Sequence, residues 1–152
     1  MSTLFIICDT SGSMAEDGKC FIVRNMVRTI DQYFRLHKTQ LEIELVGWSD
    51  EITVSKWAEG QDYPESLMTC SGALSGELLV NRLSGYQDAY FMIISDMCWT
   101  SSAREAIDSW RQSASENNFR QLKVGEGFNP QSKVPITYDA ENLLCALKGW
   151  IV

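Results

Sequence analysis

Asp9, Ser11 and Ser13 place one carboxylate and two hydroxyls at alternating positions of a short stretch, Asp9-Thr10-Ser11-Gly12-Ser13-Met14. Oxygen donors of this kind suit a hard divalent cation such as Mg²⁺, Mn²⁺ or Ca²⁺. A second carboxylate, Asp96, stands directly after the apolar run Ala89-Tyr-Phe-Met-Ile-Ile-Ser95. Other chemistries find less material. The single imidazole, His37, falls at the end of a helical stripe and offers no base for a serine nucleophile. The five cysteines stand at 8, 20, 70, 98 and 145 without C-x-x-C spacing, which with one His leaves no zinc set. There is no G-x-x-x-x-G-K-[ST] phosphate loop. A short D-x-S-x-S also marks turns and helix caps, and Asp96 by itself could cap a helix, so the surrounding elements decide what these residues do.

Leu4 to Cys8 is a continuous apolar run, the pattern of a parallel strand buried on both faces, and it delivers Asp9 at its end. Ile22, Met26, Ile30, Tyr33, Phe34 and His37, widened by Val23 and Val27, form a stripe that predicts a helix from about Lys19 to His37. Leu41 to Gly47 reads as a second strand with one less buried face. Ser49-Asp50-Glu51 is a turn, and Ile52 to Trp57 a short antiparallel edge strand. Ala58 to Cys70 is loop. Leu74, Leu78, Leu79 and Leu83 mark a second helix. Ala89 to Ser95 is a second central strand. Ala103, Ala106, Ile107, Trp110 and Ala114 mark a third helix, capped by Thr100-Ser101-Ser102. Strands are expected at Phe119 to Val124 and Val134 to Thr137. Asp139 is a good N-cap for a last helix carrying Leu143, Leu144 and Leu147. Glu116 to Val134 is the least regular stretch.

This alternation predicts an α/β protein: a three-layer, doubly wound, mostly parallel central sheet with helices on both faces. Ligands bind such sheets at the carboxyl ends of the strands, where strand order reverses. If the strands ending in Asp9 and Asp96 are neighbours there, Asp9, Ser11, Ser13 and Asp96 converge. Carboxylates at short range repel unless a cation or a proton intervenes.

At 152 residues, 45% apolar and 11% aromatic, the chain suits one domain, 1–152, with one sizeable core. The net charge of −7 argues against nucleic-acid and anionic-membrane surfaces, which require clustered Lys and Arg. No apolar run approaches a membrane span, no signal peptide is expected, and scattered thiols fit a cytoplasmic location. Trp48 and Trp57 read as packing residues. Trp99 is a candidate anchor on a binding face. Cys70 and Cys98 lie in loops at the rim of the site.

The Asp9-Thr10-Ser11-Gly12-Ser13-Met14 stretch after its strand, with Asp96 after Ile94-Ser95, resembles the metal-ion-dependent adhesion site of von Willebrand factor A (VWA) domains. The resemblance covers most of the chain, and a small, cytoplasmic, bacterial-type member is the expected kind. It implies that Ser11 and Ser13 coordinate a metal directly and that Asp9 and Asp96 act mostly through water. The family also supplies a Thr from the loop before the second helix. Here that loop reads Met68-Thr69-Cys70-Ser71-Gly72-Ala73, with Gly72 at the best-matched position. Ser71 is the candidate third hydroxyl, with Thr69 or water as alternatives. A Gly usually follows the second Asp, where this chain has Met97.

The resemblance implies a binding module and no enzyme. A divalent cation, Mg²⁺ first, with Mn²⁺ or Ca²⁺ as alternatives, is completed by an acidic side chain of a partner protein within a multiprotein complex. The enzyme alternative is a haloacid-dehalogenase-like Mg²⁺-dependent phosphatase, which requires a second Asp where Ser11 stands. A metal-free VWA-like scaffold is the third possibility.

Overall fold

Two apolar runs that tolerate no water on either side determine the centre of the molecule. A computed structural model describes residues 1–125 and 136–151. The elements are β1 Ser2–Asp9, α1 Lys19–Leu36, β2 Leu41–Trp48, β3 Ile52–Trp57, α2 Gly76–Leu83, β4 Ala89–Ser95, α3 Ser101–Ser113, β5 Phe119–Lys123, β6 Thr137–Asp139 and α4 Leu143–Leu147. The strands form one six-stranded sheet in the order β3-β2-β1-β4-β5-β6. β1 lies parallel between β2 and β4, with Leu4 opposite Ile43 on one side and Tyr90 on the other. β5 and β6 continue the parallel sheet, and β3 pairs antiparallel with β2 at the edge.

Leu4, Phe5, Ile6, Ile7 and Cys8 are fully buried because β1 is covered on both faces. Leu4, Ile6 and Cys8 pack with Val23, Val27, Ile30 and Phe34 of α1 and with Leu143 and Leu147 of α4. Phe5 and Ile7 pack on the other face with Leu79 and Leu83 of α2 and with Ala103, Ile107 and Trp110 of α3. The three-layer α/β architecture expected from the sequence is therefore present, with the two apolar runs as neighbouring central strands. Burying each large apolar side chain contributes about 1.5–3 kcal/mol.

Several details differ from the sequence reading. The buried face of α1 is centred on Val23, Val27, Ile30 and Phe34, and Ile22 is exposed. The apolar stripe is wide enough to sit at two rotations, and the sheet accepts the one facing Leu4 and Ile6. His37 caps the helix, its ring stacked on Tyr33. Leu78 and Leu144, assigned to apolar stripes, are exposed. β6 starts at Thr137, whereas the strand expected from Val134 begins outside the described residues. Asp139 precedes a 3-10 turn, Ala140–Asn142, with no side-chain cap bond, and α4 starts only at Leu143.

Candidate metal centre at the carboxyl ends of β1 and β4

β1 ends at Asp9, whose side chain is locked by the residues that follow it. Its Oδ1 accepts the Ser11 backbone N–H at 2.9 Å and the Ser11 hydroxyl at 2.7 Å. This local loop turns the chain sharply and aims Ser11 and Ser13 to the same side, their Oγ atoms 3.4 Å apart. Met14, fully buried, pins the following 3-10 turn, Gly12–Ala15, into the core shared with α1. The backbone of Thr10 bonds the Trp48 carbonyl of β2 at 2.8 Å, so the turn begins from a fixed point.

Adjacency of β1 and β4 adds the rest. The register places Cys8 opposite Ile94, which brings Asp9 beside Ser95. The Ser95 hydroxyl donates to Asp9 Oδ2 and accepts from Met97 N and Trp99 Nε1, the latter two each at 2.9 Å. That hydroxyl is saturated: one donor and two lone pairs are all in use. Asp96 is buried one residue further on. Its Oδ1 accepts Cys98 N at 3.1 Å and its Oδ2 accepts Lys19 Nζ at 3.1 Å.

The two carboxylates experience different surroundings. Burial pushes the Asp9 carboxyl above its ordinary value, against the opposing pull of Ser95 and Ser11, and the charge of Asp96 adds to the rise. Burial also raises Asp96, but Ser13, Cys98 N–H and the Lys19 ammonium together hold it below the ordinary range. No salt bridge reaches Asp9 among the described residues, whereas Asp96 has one, to Lys19. The thiols nearby are soft donors in a cluster of hard oxygens. Burial pushes Cys8 up to about 12 and Cys70 up to about 11, so both stay protonated at neutral pH.

The loop before α2 docks on this turn. Ser71 N–H bonds the Thr10 carbonyl at 3.0 Å, and Gly12 N–H bonds the Gly72 carbonyl at 2.9 Å. Ser71 is thus at the rim, exposed. Gly72 adopts φ +80°, and a Cβ there would lie 3.1 Å from an Asp50 carboxylate oxygen. The glycine at the position of the expected Thr is favoured by its left-handed backbone, and a β-branched residue there would be strained. Asp50, in the turn read from the sequence, is exposed and comes to the edge of the same loop.

Met97 stands where a Gly is expected and takes the glycine conformation, φ +63°. Its buried side chain packs among the residues between the sheet and α2 and α3, which offsets the backbone cost. Trp99 is not an exposed anchor. It is 7% exposed, turned inward edge-on to Trp48, with its Nε1 on Ser95. The Ser95 hydroxyl is the physical reason, since it offers the indole N–H a buried acceptor. The sequence reading also missed Lys19 and Ser95. Their signals were a cation in the first turn of a helix and a hydroxyl closing an apolar strand.

No family model matches this chain, and no curated protein matches it. Solved structures do. Manganese-loaded TRAP protein from Plasmodium vivax superposes with a TM-score of 0.62 at 16% identity, over 100% of this chain and 74% of that one. A von Willebrand factor type A protein from Catenulispora acidiphila gives 0.58 at 19% identity, over 93% of this chain and 40% of that one. An aerotolerance-related membrane protein from Bacteroides fragilis NCTC 9343, carrying multiple mutations to serines, gives 0.56 at 13% identity, over 93% and 78%. At these identities the likeness is one of fold. The chain has the fold of a VWA domain. No helix among the described residues is long and apolar enough to cross a membrane.

Proposed function

We propose that this chain is a cation-dependent protein-interaction domain, not an enzyme. In this reading Asp9, Ser11, Ser13 and Asp96 hold a divalent ion, Mg²⁺ first and Mn²⁺ or Ca²⁺ as alternatives, with Ser71 as the further hydroxyl. An acidic side chain of a partner protein completes the site, within a multiprotein complex. The carrying observation is the convergence of the Ser11 and Ser13 hydroxyls with two buried carboxylates, one of them without a salt bridge among the described residues. The donor set fits such an ion. Oxygens on adjacent vertices of a Mg²⁺ shell lie roughly 3 Å apart, and the two hydroxyls are 3.4 Å apart. The bound ion would supply an electrophilic point for the partner's carboxylate, while this chain's residues orient it and exclude competing ligands. The manganese-loaded TRAP structure of the same fold supports the ion class. Ser11 in place of a second Asp argues against the phosphatase alternative. Five free thiols support a cytoplasmic location, and the charge of −7 argues against nucleic acid and anionic membrane as partners.

The test is a thermal-unfolding titration with Mg²⁺, Mn²⁺ and Ca²⁺. A ligand at a hundredfold excess over Kd stabilises by about 2.7 kcal/mol. Wild type should shift and saturate, and Asp9→Asn should not. Equal shifts in both chains would remove the ion from this site. One observation favours a metal-free interaction scaffold as the second reading: Lys19 already neutralises Asp96. That reading expects no saturable shift with any of the three ions.

A further inference from the structure

Lys19 stands in a place that elementary electrostatics disfavours. It is the first residue of α1, where the helix dipole presents its positive end and an acidic residue is preferred. The first turn of α1 carries no acidic residue. Lys19 is nevertheless buried, with a side chain 10% exposed against an Asp96 side chain 3% exposed. Lysine is rarely buried unless paired, and here its Nζ lies 3.1 Å from Asp96 Oδ2 and 3.4 Å from the Ser13 carbonyl. The stem is held too. Gly125 passes over it so closely that a Cβ on that glycine would lie 3.0 Å from Lys19 Cε. The end of β5 is fixed in turn by Val124 N–H on the Ser95 carbonyl at 2.9 Å. The ammonium is therefore placed by three elements at once: the start of α1, the end of β4 and the end of β5.

We propose that Lys19 is a tethered counter-cation of Asp96 that a divalent ion must displace, so that the site exchanges one cation for the other. The proposal rests on the metal-centre reading above. Asp96 Oδ1 accepts the Cys98 N–H and Oδ2 accepts the Lys19 ammonium, so a divalent ion approaching Oδ2 meets an oxygen that already serves a cation. A divalent ion held between Ser13 and Asp96 would also sit close to a positive charge, which repels it across a buried, weakly screened space. When the ion enters, Lys19 must swing out or lose its bond to Asp96. Divalent affinity in this chain is thereby set low, and occupancy of the site is linked to the position of the first turn of α1 and of the Gly125 segment.

The experiment compares wild type with Lys19→Met, which keeps the stem and removes the charge, and Lys19→Arg, which keeps a charge. Mn²⁺ and Mg²⁺ affinities are measured by calorimetry, and thermal stability is measured in chelator. Lys19→Met should lower the melting temperature in chelator, because Asp96 loses its counter-cation, and should bind Mn²⁺ at least tenfold tighter, a change of about 1.4 kcal/mol. Lys19→Arg should bind no tighter than wild type. Lys19→Gln serves if the Met variant does not fold. In wild type, the Nζ and Cε resonances of Lys19 should move during a Mg²⁺ titration along the same saturation curve as the backbone of Ser13. Wild-type binding of Mg²⁺ with an unmoved Lys19 signal would overturn the exchange and leave the metal centre standing. Equally tight binding by wild type and Lys19→Met would overturn it in the same way. Absence of binding in every variant would instead overturn the metal centre itself, and the exchange with it. Binding by Lys19→Met alone would support the exchange in its strongest form.

Discussion

Asp9 and Asp96 are the same residue type at the ends of adjacent strands, and their surroundings set them in opposite directions. Burial raises Asp9 above its ordinary value of 3.8, so its contribution to stability is present below that value and lost as pH rises through the folded-state value. Asp96 is held low, so its contribution is present above 3.8 and lost as pH falls. In chelator, the melting temperature of Asp9→Asn relative to wild type should therefore rise as pH climbs above 3.8, while that of Asp96→Asn should fall as pH climbs up to 3.8 and then level off. Parallel trends would contradict the assignment. Asp9→Asn also carries a fixed cost, since an amide N–H would face the saturated Ser95 hydroxyl, and a buried unpaired donor costs about 1–3 kcal/mol. Removing the Asp9 charge relieves repulsion, but three hydrogen bonds are lost or altered with it. Met97 offers a second comparison at this scale. Its left-handed backbone costs about 1–2 kcal/mol, and truncating a buried Met costs about 2–5 kcal/mol. Packing outweighs backbone strain, so stability in urea should fall in the order wild type, Met97→Gly, Met97→Ala. A Gly variant more stable than wild type would show that the side chain contributes little.

At the scale of elements, the contact between α2 and α3 is set by a glycine. A Cβ on Gly76 would lie 2.8 Å from the Cα and the carbonyl oxygen of Ala103, atoms of a packed backbone that cannot rotate away. Ala raises helix propensity by about 1 kcal/mol over Gly, whereas overpacking costs about 1–3 kcal/mol. Gly76 is in the first turn, where propensity counts least, so overpacking wins. Gly76→Ala should lower stability by about 1–2 kcal/mol in chemical denaturation, and a stabilised variant would mean the helices separate freely. The loop before α2 enters the site through the same packing. Ser75 caps α2 through the Leu78 N–H and bonds Ser49 through its backbone, so displacing α2 moves the Ser71-Gly72 segment bound to Thr10 and Gly12.

The whole molecule carries −7 and a cluster of buried acid at one end of its sheet. Like charges at this density destabilise the compact state, and monovalent salt screens them with no saturation at a site. Sodium chloride at neutral pH should therefore raise the melting temperature gradually in wild type and Asp9→Asn alike. Mg²⁺ at matched ionic strength should add a saturable increment in wild type alone. If sodium reproduces the whole Mg²⁺ effect, only general screening is at work. The strand order places the ends of β1 and β4 side by side at the reversal point, so the acid cluster is a property of topology as much as of composition.

The strands, the helices and the placing of β1 and β4 at the centre were legible because apolar runs and stripes report burial directly, and burial decides what is central. The turn from Asp9 to Ser13 was legible for another reason: its bonds span two residues, and local chemistry travels with the chain. What the tertiary structure alone decided lies at long range. The bond from Ser95 to Asp9 spans 86 positions and that from Lys19 to Asp96 spans 77, and both exist only because of register and strand order. The inward turn of Trp99 and the glycine-like backbone of Met97 depend on the same neighbours. A residue's type states which bonds it can make, but which partner stands within reach is settled by packing of the sheet and the helices on it.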